Sequence, residues 1–173
     1  VMGLVNGTAY NCSVTARNVA GSGPSSTSVA VTPLPTLALS GVVSRKTHGA
    51  AGSFDIVINS ATLIGGLIDI EPRAIGSGHT LVFTFNNPIT AAGSVSVTDA
   101  ASMPVGSASA MRSGNDVVVT LAGTPDNQRV TVTLTNVNGT VPPITASLGF
   151  LIGDVNNTRS VNASDINGVK ARS

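Results

Sequence analysis

The chain of 173 residues carries nine Lys plus Arg against eight Asp plus Glu, a formal net charge of +1 with only 10% charged residues. So neutral a surface has no electrostatic footprint for nucleic acid or an anionic membrane, and it offers little charge repulsion against self-association. No stretch approaches the roughly 18 consecutive apolar residues of a membrane span, and the single Cys12 excludes an internal disulfide.

The chain opens with period-two patterning. Tyr10, Cys12, Val14 and Ala16 alternate with polar residues, and Val29 and Val31 do so again after a Ser/Gly/Pro-rich stretch, so two strands with one apolar side are expected. Cys12, between Tyr10 and Val14, reads as a buried small hydrophobe. The Leu4-Val5-Asn6-Gly7-Thr8-Ala9-Tyr10 run and the Asn18-Val19-Ala20-Gly21-Ser22-Gly23-Pro24 run resemble the tyrosine-corner region and the final hairpin loop of a fibronectin type III domain. The resemblance extends to Pro33 and covers the last two strands of that fold without the five before them. Two strands alone are marginal in water. Either the polypeptide continues upstream as adjacent modules, or the segment donates its strands to another copy by main-chain pairing. In both cases Tyr10, Val14, Val29 and Val31 form the partner-binding face.

Between Leu37 and Ile152, short runs separated by Gly, Asn and Pro predict strands over 37–44, 54–58, 80–86, 93–98, 105–111, 116–121, 129–136 and 145–151. Val117, Val119 and Leu121 alternate with Val118 and Thr120, and Val130, Val132 and Leu134 alternate with Thr131 and Thr133. Turn signals every eight to twelve residues point to an Ig-like or jelly-roll-like β-sandwich over 36–152. Arg45, Lys46, His48, Asp55, Glu71 and Arg73 concentrate the charge. Asp69 and Glu71 stand at i and i+2 of an extended segment, where pairing to Arg73, Arg45 or Lys46 is expected in place of acid–base catalysis. His48 and His79 are the only histidines, which argues against zinc, and no nucleophile elbow or phosphate loop occurs. With no Trp, Tyr10 in the corner, Phe83 and Phe85 in the core, and Phe54 and Phe150 in apolar runs, no sugar-stacking platform is expected. The stretch from Val43 to Asp55, with Ile70-Glu71-Pro72-Arg73 and Leu81-Val82-Phe83-Thr84-Phe85, resembles a β-sandwich module that often precedes dockerin-like tails in large secreted bacterial proteins. That resemblance implies a spacer or presentation module and brings no activity.

The tail, 153–173, changes character. Asp154, Asn156, Thr158, the Ser160 carbonyl and Asp165 fall at places 1, 3, 5, 7 and 12 of a loop, the oxygen spacing that wraps a hard cation. From Gly153 to Lys170 the sequence resembles the first half of a type I dockerin repeat, which implies calcium at those five residues and a cohesin-like partner. Two departures stand out: Thr158 replaces a carboxylate, and Arg159 replaces the Gly of the sharp turn. Read without calcium, the same residues form an Asx-rich turn capping a short helix, with Ser164 or Asp165 as N-cap. Asn-x-Ser/Thr sequons at Asn6, Asn11, Asn138, Asn156 and Asn162 allow attached glycans.

The sequence therefore leads us to expect an all-β, non-catalytic extracellular structural module: two fibronectin-type strands over 1–35, a β-sandwich over 36–152 and a calcium-loop–helix tail over 153–173. It would serve as spacer or subunit of a bacterial surface fibre or adhesive protein, assembled head to tail. The alternative is a dockerin-type appendage that docks a secreted enzyme on a cohesin scaffold.

Overall fold

The computed structural model describes residues 2–33, 36–74, 76, 78–139 and 142–171. The described chain is all-β apart from one short α-helix and two 3-10 turns, and it divides into two compact units, Val1–Thr36 and Leu37–Ser173.

The first unit contains β1 (Tyr10–Cys12), β2 (Thr15–Asn18), β3 (Gly21–Ser25) and β4 (Val29–Val31). β1 pairs antiparallel with β4, and β2 with β3. The two expected strands are thus one irregular hairpin whose arms are each broken midway. At the break, Ser26 N donates to Val14 O at 2.8 Å and Val14 N donates to Ser26 Oγ at 3.0 Å, which keeps the arms together. Asn18 lies opposite Gly21 at the tip, and its Oδ1 accepts from Ala20 N at 2.9 Å, the side-chain turn geometry that Asn favours.

The second unit contains β5 (Leu39–Thr47), β6 (Ser53–Ile58), β7 (Asp69–Glu71), β8 (His79–Phe85), β9 (Ser94–Thr98), β10 (Ser107–Ser113), β11 (Asp116–Ala122), β12 (Gln128–Thr135), β13 (Ile144–Phe150) and α1 (Ala163–Lys170). Five strands form a sheet in the order β10-β11-β8-β5-β6, and four form another in the order β7-β13-β12-β9. Alternation decides which side chains go inside. Val117, Val119 and Leu121 of β11 are fully buried, as are Val130, Val132 and Leu134 of β12, and these residues of both sheets belong to a single core cluster with Phe83 and Leu148. Each such side chain contributes roughly 1.5–3 kcal/mol by leaving water.

Eight strands of this unit match the sequence expectation to within a few residues. β7 was expected only as an extended segment and not as a strand of the sandwich: three residues are too short to display a period, and its place is set by its neighbours. It runs parallel to β13 with Ile70 opposite Gly149, where an added Cβ would lie 2.5 Å from Ile70 Cδ1. Gly149 therefore lets β7 approach closely enough to extend the sheet.

Gly93, at the start of β9, is fixed more rigidly. Its φ is +71°, and a Cβ there would run into the carbonyl oxygen of Thr135 and lie 2.9 Å from both Asn136 C and Val137 N. Backbone cannot swing aside as a side-chain tip can. Gly93→Ala is expected to lower unfolding free energy by about 2 kcal/mol or more, from left-handed strain plus overpacking; urea denaturation monitored by circular dichroism measures it.

Candidate functional site

The tail loop begins where β13 ends. Leu151 N donates to Glu71 O at 3.2 Å and Gly153 N to Pro72 O at 3.0 Å, so the chain leaves the sheet still paired to the segment after β7. Asp154 is then buried, and its carboxylate gathers the turn: Oδ1 accepts from Thr158 N at 3.0 Å and Oδ2 from Arg159 N at 2.6 Å. Asn156 Oδ1 also accepts from Thr158 N, at 3.1 Å. Thr158 Oγ1 sits 3.5 Å from Asp154 Oδ1 and 3.2 Å from the Ser160 carbonyl oxygen.

Asp165 closes the loop from the helix side. It is buried, with Oδ1 accepting from Val155 N at 3.0 Å and Oδ2 from Asn162 N at 2.9 Å. Asn162 is the N-cap of α1, its Oδ1 accepting from Ser164 N at 2.8 Å, and Asp165 supplies the reciprocal half of a capping box. Neither Ser164 nor Asp165 is the cap itself. The cap falls on Asn162 because its extended backbone leaves the amide at Ser164 free to turn back to its side chain. Asp154 Oδ2 and both Asp165 oxygens retain a further lone pair beyond these amide bonds, whereas Asp154 Oδ1 also accepts from Thr158 Oγ1 at 3.5 Å.

Arg159 answers the missing glycine. It takes φ +67°, the left-handed conformation that Gly would adopt at no cost, while its guanidinium leaves the loop and donates to Ile68 O at 3.1 Å, Leu67 O at 3.0 Å and Asn157 O at 3.2 Å. Asn157, also at positive φ, accepts from Ile70 N at 3.0 Å. The two side chains thereby pin the loop along the outer edge of β7. Asn157 was not among the expected site residues; its sole sequence signal was an Asn-Asn pair in a turn.

Adjacent to this edge lies an ion pair in which Glu71 is buried and Arg73 partly buried. Glu71 accepts from Arg73 Nε at 2.7 Å on Oε1 and from Arg73 Nη2 at 2.6 Å on Oε2, while Arg73 N and Ser44 Oγ also donate to the carboxylate. Arg73 reaches further, to Phe54 O and Ser44 O, each at 2.8 Å. Burial alone would raise the Glu71 pKa; the hydrogen bonds from Arg73 and Ser44 outweigh it and hold it below the ordinary value. Asp69 does otherwise than expected: its Oδ2 accepts the backbone N–H of Asn59 at 2.7 Å and its Oδ1 the Asn157 Nδ2 at 3.4 Å, with no ion pair to it among the described residues. The second pair, Arg45 with Asp55, is bidentate at 2.8 Å but exposed, and its hydrogen bond raises the Arg45 pKa and lowers that of Asp55.

The remaining expected residues separate. Tyr10 and Val31 face each other across β1 and β4, as do Cys12 and Val29, so these four side chains share one face. Val14 is 75%, Val29 61% and Val31 46% exposed. Cys12 is exposed as well, because nothing in the two-stranded ribbon covers it. The Tyr10 hydroxyl accepts from Val5 N at 2.8 Å. Phe83, Phe85 and Phe150 are buried, but Phe54 is exposed on the edge strand β6, edge-on to His48 at 5.6 Å. Of the sequons, Asn138 is committed to structure: its Oδ1 accepts from Thr90 N, Thr90 Oγ1 and Ala91 N, and its Nδ2 donates to Pro88 O. A glycan there would break that network.

Among the described residues no three His, Cys, Asp or Glu side chains converge as a metal-binding group, and the tail loop offers two carboxylates with neutral oxygens between them. Comparison with protein-family models, with characterised proteins and with solved structures returned no match to this chain.

The buried His79 sets a pH dependence. Burial lowers its pKa from 6.5 to about 4; Glu71 pulls the other way, and Lys46 and Arg73 reinforce the fall. The unfolded chain then binds more protons than the folded one between those values, so stability is full above pH 6.5 and declines as pH falls towards 4. His79→Gln is expected to flatten the profile of thermal midpoint against pH in that window, as read by scanning calorimetry.

Proposed function

We propose that this protein is a non-catalytic extracellular structural module, a spacer or subunit of a surface fibre or adhesive protein, assembled head to tail through the strands of residues 1–33. The observation that carries this reading is the face shared by Tyr10, Cys12, Val29 and Val31, which the first unit leaves uncovered by its own strands. A two-stranded ribbon with an exposed apolar side gains stability only from a third strand or a packing partner. Low net charge does little to oppose a second copy in that role. The second unit, on this reading an Ig-like or jelly-roll-like β-sandwich, offers acceptor edges: β6 ends its sheet with Phe54 and Val57 exposed along it. A contact of this kind joins different surfaces, and where its rotation does not close into a ring it extends into a filament.

The second reading, a dockerin-type docking appendage, is favoured by the tail loop. Asp154, Asn156, Thr158, Ser160 and Asp165 would hold calcium with moderate affinity, because Thr158 supplies a neutral oxygen where a carboxylate would bind more strongly. The charge of Arg159 is directed to the carbonyls of Leu67 and Ile68, which removes one objection to a cation in the loop.

One experiment separates the readings. Sedimentation velocity and electron microscopy are applied to the full chain and to a chain lacking residues 1–33, each with calcium and with chelator. Head-to-tail assembly predicts concentration-dependent oligomers or filaments of the full chain and a folded monomer after truncation. A truncated chain that assembles as the full chain does, or a full chain that stays monomeric, overturns it. Calcium-dependent capture of a cohesin domain by a monomer would favour the docking reading.

A further inference from the structure

The segment that carries β7 has a second neighbour besides β13, and that neighbour is not a strand. Backbone groups along an extended chain alternate in direction. Leu151 N donates to Glu71 O, which turns the groups of Asp69 and Glu71 toward β13 and those of Ile68, Ile70 and Pro72 away from it. The tail takes one backbone group from each of these three residues. Gly153 N donates to Pro72 O at 3.0 Å, Asn157 Oδ1 accepts from Ile70 N at 3.0 Å, and Arg159 Nε donates to Ile68 O at 3.1 Å. Positions 153, 157 and 159 thus meet 72, 70 and 68 in reverse order, the sense of an antiparallel edge strand.

Two of the three contacts come from side chains, because the tail backbone there is a turn. Asn157 stands at φ +59° and Arg159 at φ +67°. Non-glycine residues seldom adopt this left-handed conformation, and two within three residues persist only where their surroundings hold them. A further bond from Asn157 Nδ2 to Asp69 Oδ1 at 3.4 Å adds to that hold. What the turn covers is fit for pairing. Ile68 and Ile70 are buried, so the segment keeps its extended course whether or not the tail lies on it, and outward N–H and C=O groups on an edge are a template for another chain.

We propose that residues 153–159 are a strap that closes the β7 edge against strand addition, and that β7 freed from the strap pairs antiparallel with β7 of a second copy about a twofold axis. The edge is complementary to itself. About such an axis the two Ile70 residues stand opposite each other and exchange both N–H and C=O bonds, with the same surface serving on each copy. Pro72 has no N–H to give, which keeps the pairing short. The inference rests neither on calcium in the loop nor on assembly through residues 1–33.

In the full chain, Asn157→Gly combined with Arg159→Gly removes both side-chain clamps and places Gly where the backbone is already left-handed. Amide hydrogen exchange at Ile70, followed by nuclear magnetic resonance over a series of protein concentrations, reads the edge. The unmodified chain should protect Ile70 equally at every concentration, since Asn157 does so from within the chain. In the double variant Ile70 should exchange roughly fivefold faster when dilute, the net strength of one hydrogen bond, and regain protection as concentration rises. Exchange that matches the unmodified chain, or that stays fast at every concentration, overturns the proposal. Protection that returns together with new protection in β1 or β4, absent from the unmodified chain, would assign the edge to those strands and overturn the twofold pairing. If the double variant fails to fold, a chain ending at Ile152 takes the same comparison; among the described residues the core cluster reaches no further than Phe150.

Discussion

The Glu71–Arg73 pair is the joint on which the second unit turns. Glu71 belongs to β7, in the four-stranded sheet; its carboxylate takes the hydroxyl of Ser44 from β5, and Arg73 binds carbonyl oxygens of β5 and β6 in the five-stranded sheet. One charge-assisted cluster therefore ties an edge of each sheet to the other. A buried ion pair is a poor source of net stability, because two charges must be desolvated to make it. Its value lies in direction. The fork of Arg73 and the two oxygens of Glu71 admit one arrangement, and that arrangement sets where a three-residue strand must lie.

From β7 outward, the tail follows. An edge strand exposes backbone groups that invite pairing with another chain. Here Asn157 accepts the outward N–H of Ile70, and Arg159 occupies the carbonyl oxygens of Leu67 and Ile68. The loop that could wrap a cation is thus also the cover of a sheet edge. Its two buried aspartates hold four backbone N–H groups, and these carboxylate-to-amide bonds fix the shape of the loop. Among the described residues of the first unit, its own strands leave its apolar face uncovered, and that contrast is the physical basis of the proposed assembly.

What the sequence disclosed, and what it did not, divides along the same line. Strands such as β11 and β12 were legible because five or more alternating residues cannot satisfy a helix period. β7 was not, since its position depends on Gly149 allowing close approach and on partners far away in the chain. Asp154 and Asp165 were legible as a spaced pair, whereas the true cap, Asn162, needed backbone geometry. Arg159 looked like a defect in the loop; only its reach to residues about 90 positions earlier reveals a second task. Cys12 followed the alternation rule and Phe54 lay in an apolar run, and yet both are exposed. Period two identifies a face without saying whether anything covers it.

If the Glu71–Arg73 pair positions the sheet edges as described, its two members must be strongly coupled. A double-mutant cycle of Glu71→Met, Arg73→Met and the combination, read by denaturant unfolding, tests this directly. Arg73→Met strands the buried Glu71 carboxylate and is expected to cost about 3–5 kcal/mol, Glu71→Met leaves the part-buried Arg73 unpaired and costs less, and the combination costs clearly less than their sum. Single effects that simply add, with a coupling below about 0.5 kcal/mol, would contradict the account.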